Sequence, residues 1–286
     1  MTGPLLVVDA PSMLFRAFYA LPTSIRGGDD RPVNALLGAA NLILREVEQH
    51  APRAVVLCFG PDAAAYRVEL FPAYHADRIE MPDELAPQWE HAGDFFEAFG
   101  WLVAAHDSLE ADDLLGAYAR REAEAGGAVL VMTGDRDLFQ CAGERVQVLY
   151  VSTGKQGGEL IGPAEVRSRY GVGPELVPDF IALRGDPSDG LPGAKGIGAK
   201  TAAELLQRHG SLEAALQAAV RESKPSVRSA LLDGKELLPR FKKIATLRDV
   251  DVELPPDRPT NYKRAAAAAR ERGMERLAKR LEPGSR

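Results

Sequence analysis

Short apolar runs alternate with helically spaced segments through the first half of the chain. Runs without polar alternation predict buried strands at residues 4–8, 54–59, 101–105, 128–132 and 146–151. Apolar positions three and four apart predict helices at residues 12–21, 34–50, 87–99 and 110–125. Strands of this kind that alternate with helices indicate an α/β fold with a mostly parallel sheet covered on both faces.

The strand signal disappears after Gly162. A Gly-rich turn is predicted at residues 154–158, and short helices joined by Gly or Pro follow at residues 163–170, 174–183, 199–209 and 212–220. The Ala- and Arg-rich tail at residues 262–281 is expected to be helical and partly mobile. We therefore expect an α/β core over residues 1–160 and a helical region over residues 161–286.

Charge supports this division. The chain of 286 residues has a formal charge of −6, but residues 191–286 carry 20 basic and 12 acidic residues, or +8, which leaves −14 for residues 1–190. An acidic front and a basic back fit a carboxylate-rich site joined to a surface that holds a polyanion. An uneven spread of solvated charge is the alternative.

Composition excludes several classes of protein. Cys58 and Cys141 lie in apolar runs and form no disulfide framework, which favours a reducing compartment. The first residues lack a basic segment and Asp9 interrupts their apolar run, so they do not form a secretory signal. No stretch approaches the roughly 18 apolar residues of a membrane span. We expect a soluble cytoplasmic protein.

Carboxylates follow several predicted strands at the edge where open parallel sheets bind ligands. Six of them come from three elements: Asp9, Glu110, Asp112, Asp113, Asp135 and Asp137. Two more, Asp186 and Asp189, precede the basic region. On a helix, Glu110 and Asp113 share a face, whereas Asp112 points elsewhere. Such a crowd of acids repels strongly unless cations neutralise it, and hard oxygen ligands suit Mg²⁺ or Mn²⁺. The alternative is that individual acids only cap helices.

The second candidate site is the Gly-rich segment at residues 191–202. It departs from the nucleotide P-loop because Ala199 stands where Lys must follow the second glycine, and no strand precedes it. Glycines at the start of a helix instead let backbone N–H groups approach phosphate, and lysines add charge without base specificity. The candidate phosphate-binding residues are Gly193, Lys195, Gly196, Gly198, Lys200 and Thr201. A simple turn between helices is the alternative.

A weaker cluster lies in an irregular stretch beyond the second strand. Arginines and aromatic residues at Tyr66, Arg67, Tyr74, His75 and Arg78 could clamp phosphate and stack a base, or form a solvated loop. No nucleophile motif for covalent catalysis is present.

Five motifs in order give the chain a specific resemblance over about residues 5–250. They are Val-Asp-Ala…Leu-Phe-Arg-Ala-Phe-Tyr-Ala, Tyr-Arg…Tyr-His-Ala-Asp-Arg, Glu-Ala-Asp-Asp, Thr-Gly-Asp-Arg-Asp-Leu-Phe-Gln and Gly-Asp-Pro-Ser-Asp-Gly-Leu-Pro-Gly-Ala-Lys-Gly-Ile-Gly-Ala-Lys-Thr-Ala. The chain resembles the prokaryotic 5′-nuclease and flap-endonuclease family, which includes the 5′–3′ exonuclease domain of bacterial DNA polymerase I.

The resemblance implies a PIN-like nuclease core and a helix–three-turn–helix at about residues 185–210 that grips duplex DNA and can bind K⁺. It implies that a single-stranded 5′ end passes a gateway at about residues 66–90. It also implies two or three Mg²⁺ or Mn²⁺ ions held by Asp9, Glu110, Asp112, Asp113, Asp135, Asp137, Asp186 and Asp189. Arg16 and Tyr74 are then expected to contact DNA.

The chain departs from the family pattern at two positions. His75 stands where the family usually has a Lys that meets the scissile phosphate, and Arg67 and Arg78 remain to supply positive charge there. Gly60 stands where the family tends to have Asp, and Asp62 is the nearest acid that could act as its substitute.

The activity implied is metal-dependent hydrolysis of DNA by a stand-alone 5′-nuclease in replication and repair. The expected substrate is duplex DNA with a 5′ flap or 5′ end, the expected state is a monomer, and the expected products are a 5′-phosphate and a 3′-hydroxyl. Two alternatives are a non-catalytic flap-binding protein of the same fold and a metal-dependent ribonuclease.

Overall fold

The computed structural model describes residues 3–78, 80–152 and 157–282. Its strands are β1 (Leu5–Asp9), β2 (Ala54–Phe59), β3 (Leu102–Ala105), β4 (Val129–Thr133), β5 (Val146–Tyr150) and β6 (Glu159–Ile161). They form one sheet in the order β3-β2-β1-β4-β5-β6, and all neighbours are parallel except β5 and β6. The central strands β1, β2 and β4 are buried along their whole length, as expected for a sheet covered on both faces.

Helices cover the sheet and form the second half of the chain. They are α1 (Ala10–Ala20), α2 (Asn34–His50), α3 (Ala65–Leu70), α4 (Ala86–Glu90), α5 (Ala92–Glu97), α6 (Ala111–Glu124), α7 (Pro163–Tyr170), α8 (Val177–Arg184), α9 (Ala199–His209), α10 (Leu212–Ala218), α11 (Pro225–Asp233), α12 (Leu238–Ala245), α13 (Tyr262–Glu271) and α14 (Glu275–Leu281). Short 3-10 helices cover Asp137–Cys141, Pro174–Leu176 and Ala219–Arg221.

Alternate residues of β1 face the two halves of the core. Leu5 and Val7 pack in the cluster that contains α6 and the helical region, whereas Leu6 and Val8 pack with α1, α2 and α5. This alternation is the period of two that a strand imposes on its side chains. The sheet is therefore the middle layer between two sets of helices.

The predicted α/β fold is confirmed, and α2, α7 and α9 begin and end at the predicted residues. The antiparallel strand β6 and the helices α3, α11 and α12 were not predicted, although α12 carries buried apolar residues at helical spacing, namely Leu238, Phe241, Ile244 and Ala245. The predicted turn at residues 154–158 lies mostly outside the described residues. The described part of the chain contains no helix that is long and apolar enough to span a membrane.

The expectation of a partly mobile tail is corrected by the structure. In α13 and α14, alanines and leucines are buried against the face of the sheet that carries α1, α2 and α5. A close backbone contact fixes the turn between these two helices, since a Cβ on Gly273 would lie 2.2 Å from the backbone nitrogen of Gly28. The last two helices therefore pack on the α/β core.

The segment at residues 251–261 leads from the helical region back to the core. The Arg53 side chain donates to the Pro255 carbonyl at 2.8 Å, and the Trp101 indole donates to the Thr260 hydroxyl at 2.9 Å. The Asn261 amide donates to the Phe99 carbonyl at 2.7 Å. The helical region is thus connected to the core at both of its ends.

Candidate active site

A cavity of about 1410 Å³ opens at the carboxyl edge of the sheet. Strand ends, the start of α6 and the turn after α8 each contribute acids to it, as expected for ligand sites in open parallel sheets. Five of the eight predicted carboxylates line it: Asp9, Glu110, Asp112, Asp135 and Asp186.

Asp9 ends β1 and also caps α1. One carboxylate oxygen accepts from the Ser12 amide at 2.9 Å, and the other accepts from the Thr133 hydroxyl at 2.7 Å. Burial raises the pKa of Asp9, which these bonds and the charge of Arg16 partly oppose. Asp9 therefore both caps α1 and lines the cavity.

The first turn of α6 separates its two aspartates. Asp112 lines the cavity, whereas Asp113 is fully buried on another side of the helix. Burial, and then the charges of Asp9 and Asp135, raise the pKa of Asp112 well above its usual range. Asp113 accepts from the Arg67 guanidinium at 3.0 Å and from the Arg248 amide at 2.8 Å, so the structure does not bring it to the cavity, and its role as a metal ligand stays a prediction.

Arg67 is the buried cation of this region, with 3% of its surface exposed. Its guanidinium forms ion pairs with Glu110 and Asp113, and its Nε donates to the Ile244 carbonyl in α12 at 3.0 Å. Burial raises the pKa of Glu110, and Arg67 is the strongest opposing influence. Because Arg67 is enclosed, the structure does not bring it to the cavity, and its contact with substrate stays a prediction.

Tyr74 is also turned inward, with 4% of its surface exposed. Its hydroxyl donates to Glu110 at 3.0 Å, and its ring stacks on His75 at 3.8 Å between centroids. Tyr66 likewise donates to Asp113, at 3.2 Å. The Tyr74 hydroxyl thus holds Glu110 in this structure, and the contact of Tyr74 with DNA stays a prediction.

Asp135 and Asp137 follow β4 and are held close together. The Asp137 amide donates to the Asp135 carboxylate at 2.8 Å. Burial raises the pKa of Asp135 to about 6 and the pKa of Asp137 well above its usual range. The largest charge effects on both come from other carboxylates, Asp189 being one of them. This pair is poorly neutralised by the protein itself.

The turn after α8 carries the last two predicted acids. Asp186 accepts from the Ser188 amide at 2.9 Å and forms an ion pair with Arg184 at 3.0 Å. Asp189 lies 3.0 Å from His75 Nε2, and the other nitrogen of that imidazole lies 2.7 Å from the Asp62 carbonyl. His75 is thereby fixed at the cavity wall, beside an acid of the helical region.

Arg78 and Asp62 stand together at the rim of the cavity. The Arg78 guanidinium donates to Asp62 at 2.5 Å and lies 3.8 Å from Asp189. Gly60 is in backbone contact with the start of α6, since a Cβ there would lie 2.3 Å from the Leu109 carbonyl oxygen. No side chain fits at Gly60, so Asp62 is the acid that this loop offers to the cavity.

The donor set fits hard divalent cations. The side chains are carboxylates, the oxygen ligands that Mg²⁺ and Mn²⁺ prefer, and their repulsion would be relieved by bound cations. Among residues 3–78, 80–152 and 157–282, no three such side chains already converge on one point. The acids surround the cavity instead, and they are the residues that would hold the ions.

The Gly-rich turn follows the Asp186–Asp189 turn directly. Lys195, Gly196, Gly198 and Lys200 are exposed, while Ile197 is buried beneath them. Gly196 has a φ of 77°, in the left-handed region that favours glycine. Gly198 precedes the first residue of α9, and Gly193 and Thr201 are half-buried. The turn therefore offers exposed backbone N–H groups and two lysine side chains at the start of α9, which is the arrangement that binds phosphate.

Sequence reasoning missed an apolar wall and two basic residues of the cavity. The wall is formed by Phe15, Tyr19, Met81 and Trp89, and the Phe15 and Trp89 rings meet edge to face at 5.7 Å. The spacing of Phe15 and Tyr19, four apart on α1, is the signal that could have identified the wall. The basic residues are Arg136 and Arg184. Both lie within two residues of predicted metal-binding acids, and those acids were the signal that the sequence analysis used.

Two known domain families match consecutive parts of the chain. Residues 4–171 match the 5′–3′ exonuclease N-terminal resolvase-like domain, and residues 172–267 match the 5′–3′ exonuclease C-terminal SAM fold. The division between the two matches lies near the predicted end of the α/β core.

Similar proteins agree with these matches. A 5′–3′ exonuclease of Mycobacterium tuberculosis is 37% identical and aligns over 99% of this chain and 98% of its own length. A 5′–3′ exonuclease of Streptomyces coelicolor is 38% identical over 87% of each. The D15 flap endonuclease of bacteriophage T5, solved as a pseudo-enzyme–product complex with DNA and metal ions, has a TM-score of 0.70 at 19% identity, covering 97% of both chains.

Proposed function

The chain belongs to the 5′–3′ exonuclease family, and from this premise we propose that it hydrolyses DNA as a flap endonuclease and 5′–3′ exonuclease. The observation that carries the proposal is one cavity in which buried carboxylates from the sheet edge meet the turn that leads to the Gly-rich segment. Its setting would be replication and repair, with the protein acting as a cytoplasmic monomer.

The cavity acids are the groups that would hold the catalytic ions, Mg²⁺ or Mn²⁺. The central set is Asp9, Glu110, Asp112, Asp135 and Asp186, with Asp137, Asp189 and Asp62 beside them. Bound ions would activate water and stabilise the charge that develops on the leaving oxygen. Asp113 and Arg67 serve to position Glu110 from behind the wall.

The scissile phosphate would lie near Arg78 and His75. Arg78 is partly exposed at the cavity rim, and its guanidinium can donate to phosphate oxygens in a bidentate manner. His75 is fixed between the Asp62 carbonyl and Asp189, and so links the gateway stretch to the helical region. Water is the proposed nucleophile, which leaves a 5′-phosphate and a 3′-hydroxyl.

The helical region would hold the duplex part of the substrate. Backbone amides at Gly196 and Gly198, with Lys195 and Lys200, offer a sequence-independent grip on one phosphate backbone, and carbonyls of the same turn could bind K⁺. The apolar wall of Phe15 and its neighbours would stack bases of the single strand, which every base permits.

The test is cleavage of a 5′-labelled flap duplex by the purified protein with Mg²⁺ or Mn²⁺, beside an EDTA control. We expect cuts near the junction that require metal and that disappear in Asp112→Asn. Asp249→Asn, an exposed acid paired with Arg120, is the matched control and should cut normally. Flap binding without cleavage under either metal would support the non-catalytic alternative. Faster cutting of a matched RNA strand would support the ribonuclease alternative.

A further inference from the structure

We propose that Arg136 and Arg184 form a phosphate-binding site for the DNA strand that enters the cavity, an inference that rests on the proposed nuclease function. Both side chains line the cavity, although they come from different halves of the chain. Arg136 lies in the turn after β4, and Arg184 is the last residue of α8. The two halves would thus contribute one arginine each to the same polyanion.

The two guanidinium groups share an environment. Each acts electrostatically on Tyr170, whose pKa they lower against the effect of its burial. Asp186 pairs with Arg184 at 3.0 Å and also contributes to raising the pKa of Arg136. Both guanidinium groups therefore lie near Asp186 and Tyr170 at the cavity wall.

Arg136 is positioned but not neutralised. Its Nε donates to the Tyr150 hydroxyl at 3.2 Å, and its guanidinium lies 5.8 Å from the centre of that ring. Within the described part of the chain it makes no ion pair, and its side chain is exposed. An exposed guanidinium held by a neutral partner keeps its charge and most of its N–H donors for a ligand.

Arg184 is anchored from three sides. Its Nε donates to the Gly185 carbonyl at 2.9 Å, its Nη2 pairs with Asp186, and its guanidinium lies 5.4 Å from the Phe180 ring centre. About a quarter of its side chain is exposed. A planar guanidinium held in this way can donate from its free edge, and little further conformational entropy is lost when it does so.

The charge of the cavity supplies the reason for such a site. DNA that approaches a wall of carboxylates is repelled unless cations meet its phosphates, and contacts of this kind carry no sequence preference. Arg136 and Arg184 stand beside acids of the site, since Arg136 lies between Asp135 and Asp137 in the chain and Arg184 pairs with Asp186. They would hold the backbone in place without taking part in the cleavage step.

The experiment measures binding of a fluorescent 5′-flap duplex in EDTA at several KCl concentrations. Neutralising a phosphate contact lowers the slope of log affinity against log salt by about one. We expect this for Arg136→Gln and for Arg184→Gln, a loss of about two in the double variant, and about tenfold weaker binding per arginine at low salt. Arg136→Lys and Arg184→Lys should keep the wild-type slope, because they keep the charge.

The matched control is Arg145→Gln. Arg145 is also exposed, but it donates to the Gly126 carbonyl at the opposite edge of the sheet. Unchanged slopes in both Gln variants, or a change no larger than that of the control, would overturn the proposal. Cleavage of the same duplex by the wild type with Mn²⁺ is measured separately, so a failure of the nuclease function is distinguishable from a failure of the phosphate site.

Discussion

Two groups of carboxylates at the carboxyl edge of the sheet are treated in opposite ways by the fold. Glu110 and Asp113 are paired with Arg67 and accept further bonds from backbone amides and tyrosine hydroxyls. Asp112, together with Asp135 and Asp137, is surrounded mainly by other carboxylates. The carboxylates of the first group have a positively charged partner and hydrogen-bond donors within the protein. Those of the second group would be neutralised by a bound cation.

This difference distinguishes acids that the protein itself neutralises from acids that depend on a metal ion. A buried acid that is paired with an arginine is neutralised whether or not a metal is bound, whereas an unpaired acid destabilises the metal-free fold and gains most from an ion. Adjacent residues of one motif can therefore have different functions. Variants in both groups, and the pH dependence of stability, test this division.

Replacing Arg67 by Met should have the largest effect on stability. It would leave Glu110 and Asp113 as uncompensated buried charges, and we expect a loss of about 3–5 kcal/mol in the free energy of unfolding. Urea unfolding measures this directly. The control is Arg78→Met, whose partner Asp62 is largely exposed, so its cost should stay under about 1 kcal/mol. Equal losses in the two variants would contradict the division.

Asp112→Asn should act in the opposite direction on stability and activity. Cleavage of a flap duplex with Mn²⁺ should fall by at least about 100-fold, because a cavity ligand is lost. The metal-free protein should become more stable, because a half-buried charge that other carboxylates repel is removed. A less stable Asp112→Asn protein that still cleaves would show that Asp112 belongs with the paired acids.

The pH dependence of the metal-free protein should report the unpaired acids. Since the pKa of Asp135 is raised in the folded state to about 6, its contribution to stability is greatest below pH 4 and is lost as the pH rises through 6. In EDTA, Asp135→Asn should therefore be more stable than the wild type at pH 8, by up to about 3 kcal/mol. The difference should shrink towards pH 4. Thermal unfolding of both proteins from pH 4 to pH 8 measures this. A difference in stability that does not change with pH would show that Asp135 does not have a raised pKa.

Tyr74→Phe is the mildest test of the paired group. It removes the hydroxyl that donates to Glu110 and keeps the ring on His75, so the free energy of unfolding should fall by about 1–2 kcal/mol. Cleavage should weaken only slightly, because Arg67 still holds Glu110. Tyr118→Phe on the same face of the core offers a comparable substitution away from Glu110. A larger loss of activity than of stability would place Tyr74 in the reaction itself.

Periodicity and motif spacing were sufficient to predict the sheet, most of the helices and the edge at which the acids meet. Strands and helices with strong apolar patterns are specified locally, so β2 and α2 could be read from the sequence. The weakly patterned helix α3 could not, because its position depends on Arg67 pairing with residues more than forty positions away.

The orientation of side chains was the least predictable feature of the site. Tyr74 and Arg67 belong to a motif that suits contact with DNA, yet both are buried because Glu110 and Asp113 attract their donors. Arg184 and Trp89 reach the cavity only through tertiary packing. Such pairings between distant segments leave no pattern in a single sequence. The orientation of these side chains depends on which charged groups the folded protein buries next to each other.

The return of the chain to the core after the helical region has a consequence for unfolding. The helical region leaves the core at β6 and comes back through residues 251–261, where Arg53 and Trp101 hold it. A segment joined at both ends cannot detach without breaking one of these attachments. Opening the helical region would also release Ile244 from Arg67 and expose the acids behind it. We therefore expect both halves to melt in a single cooperative transition, in which loss of the DNA-binding surface and loss of the cavity are one event.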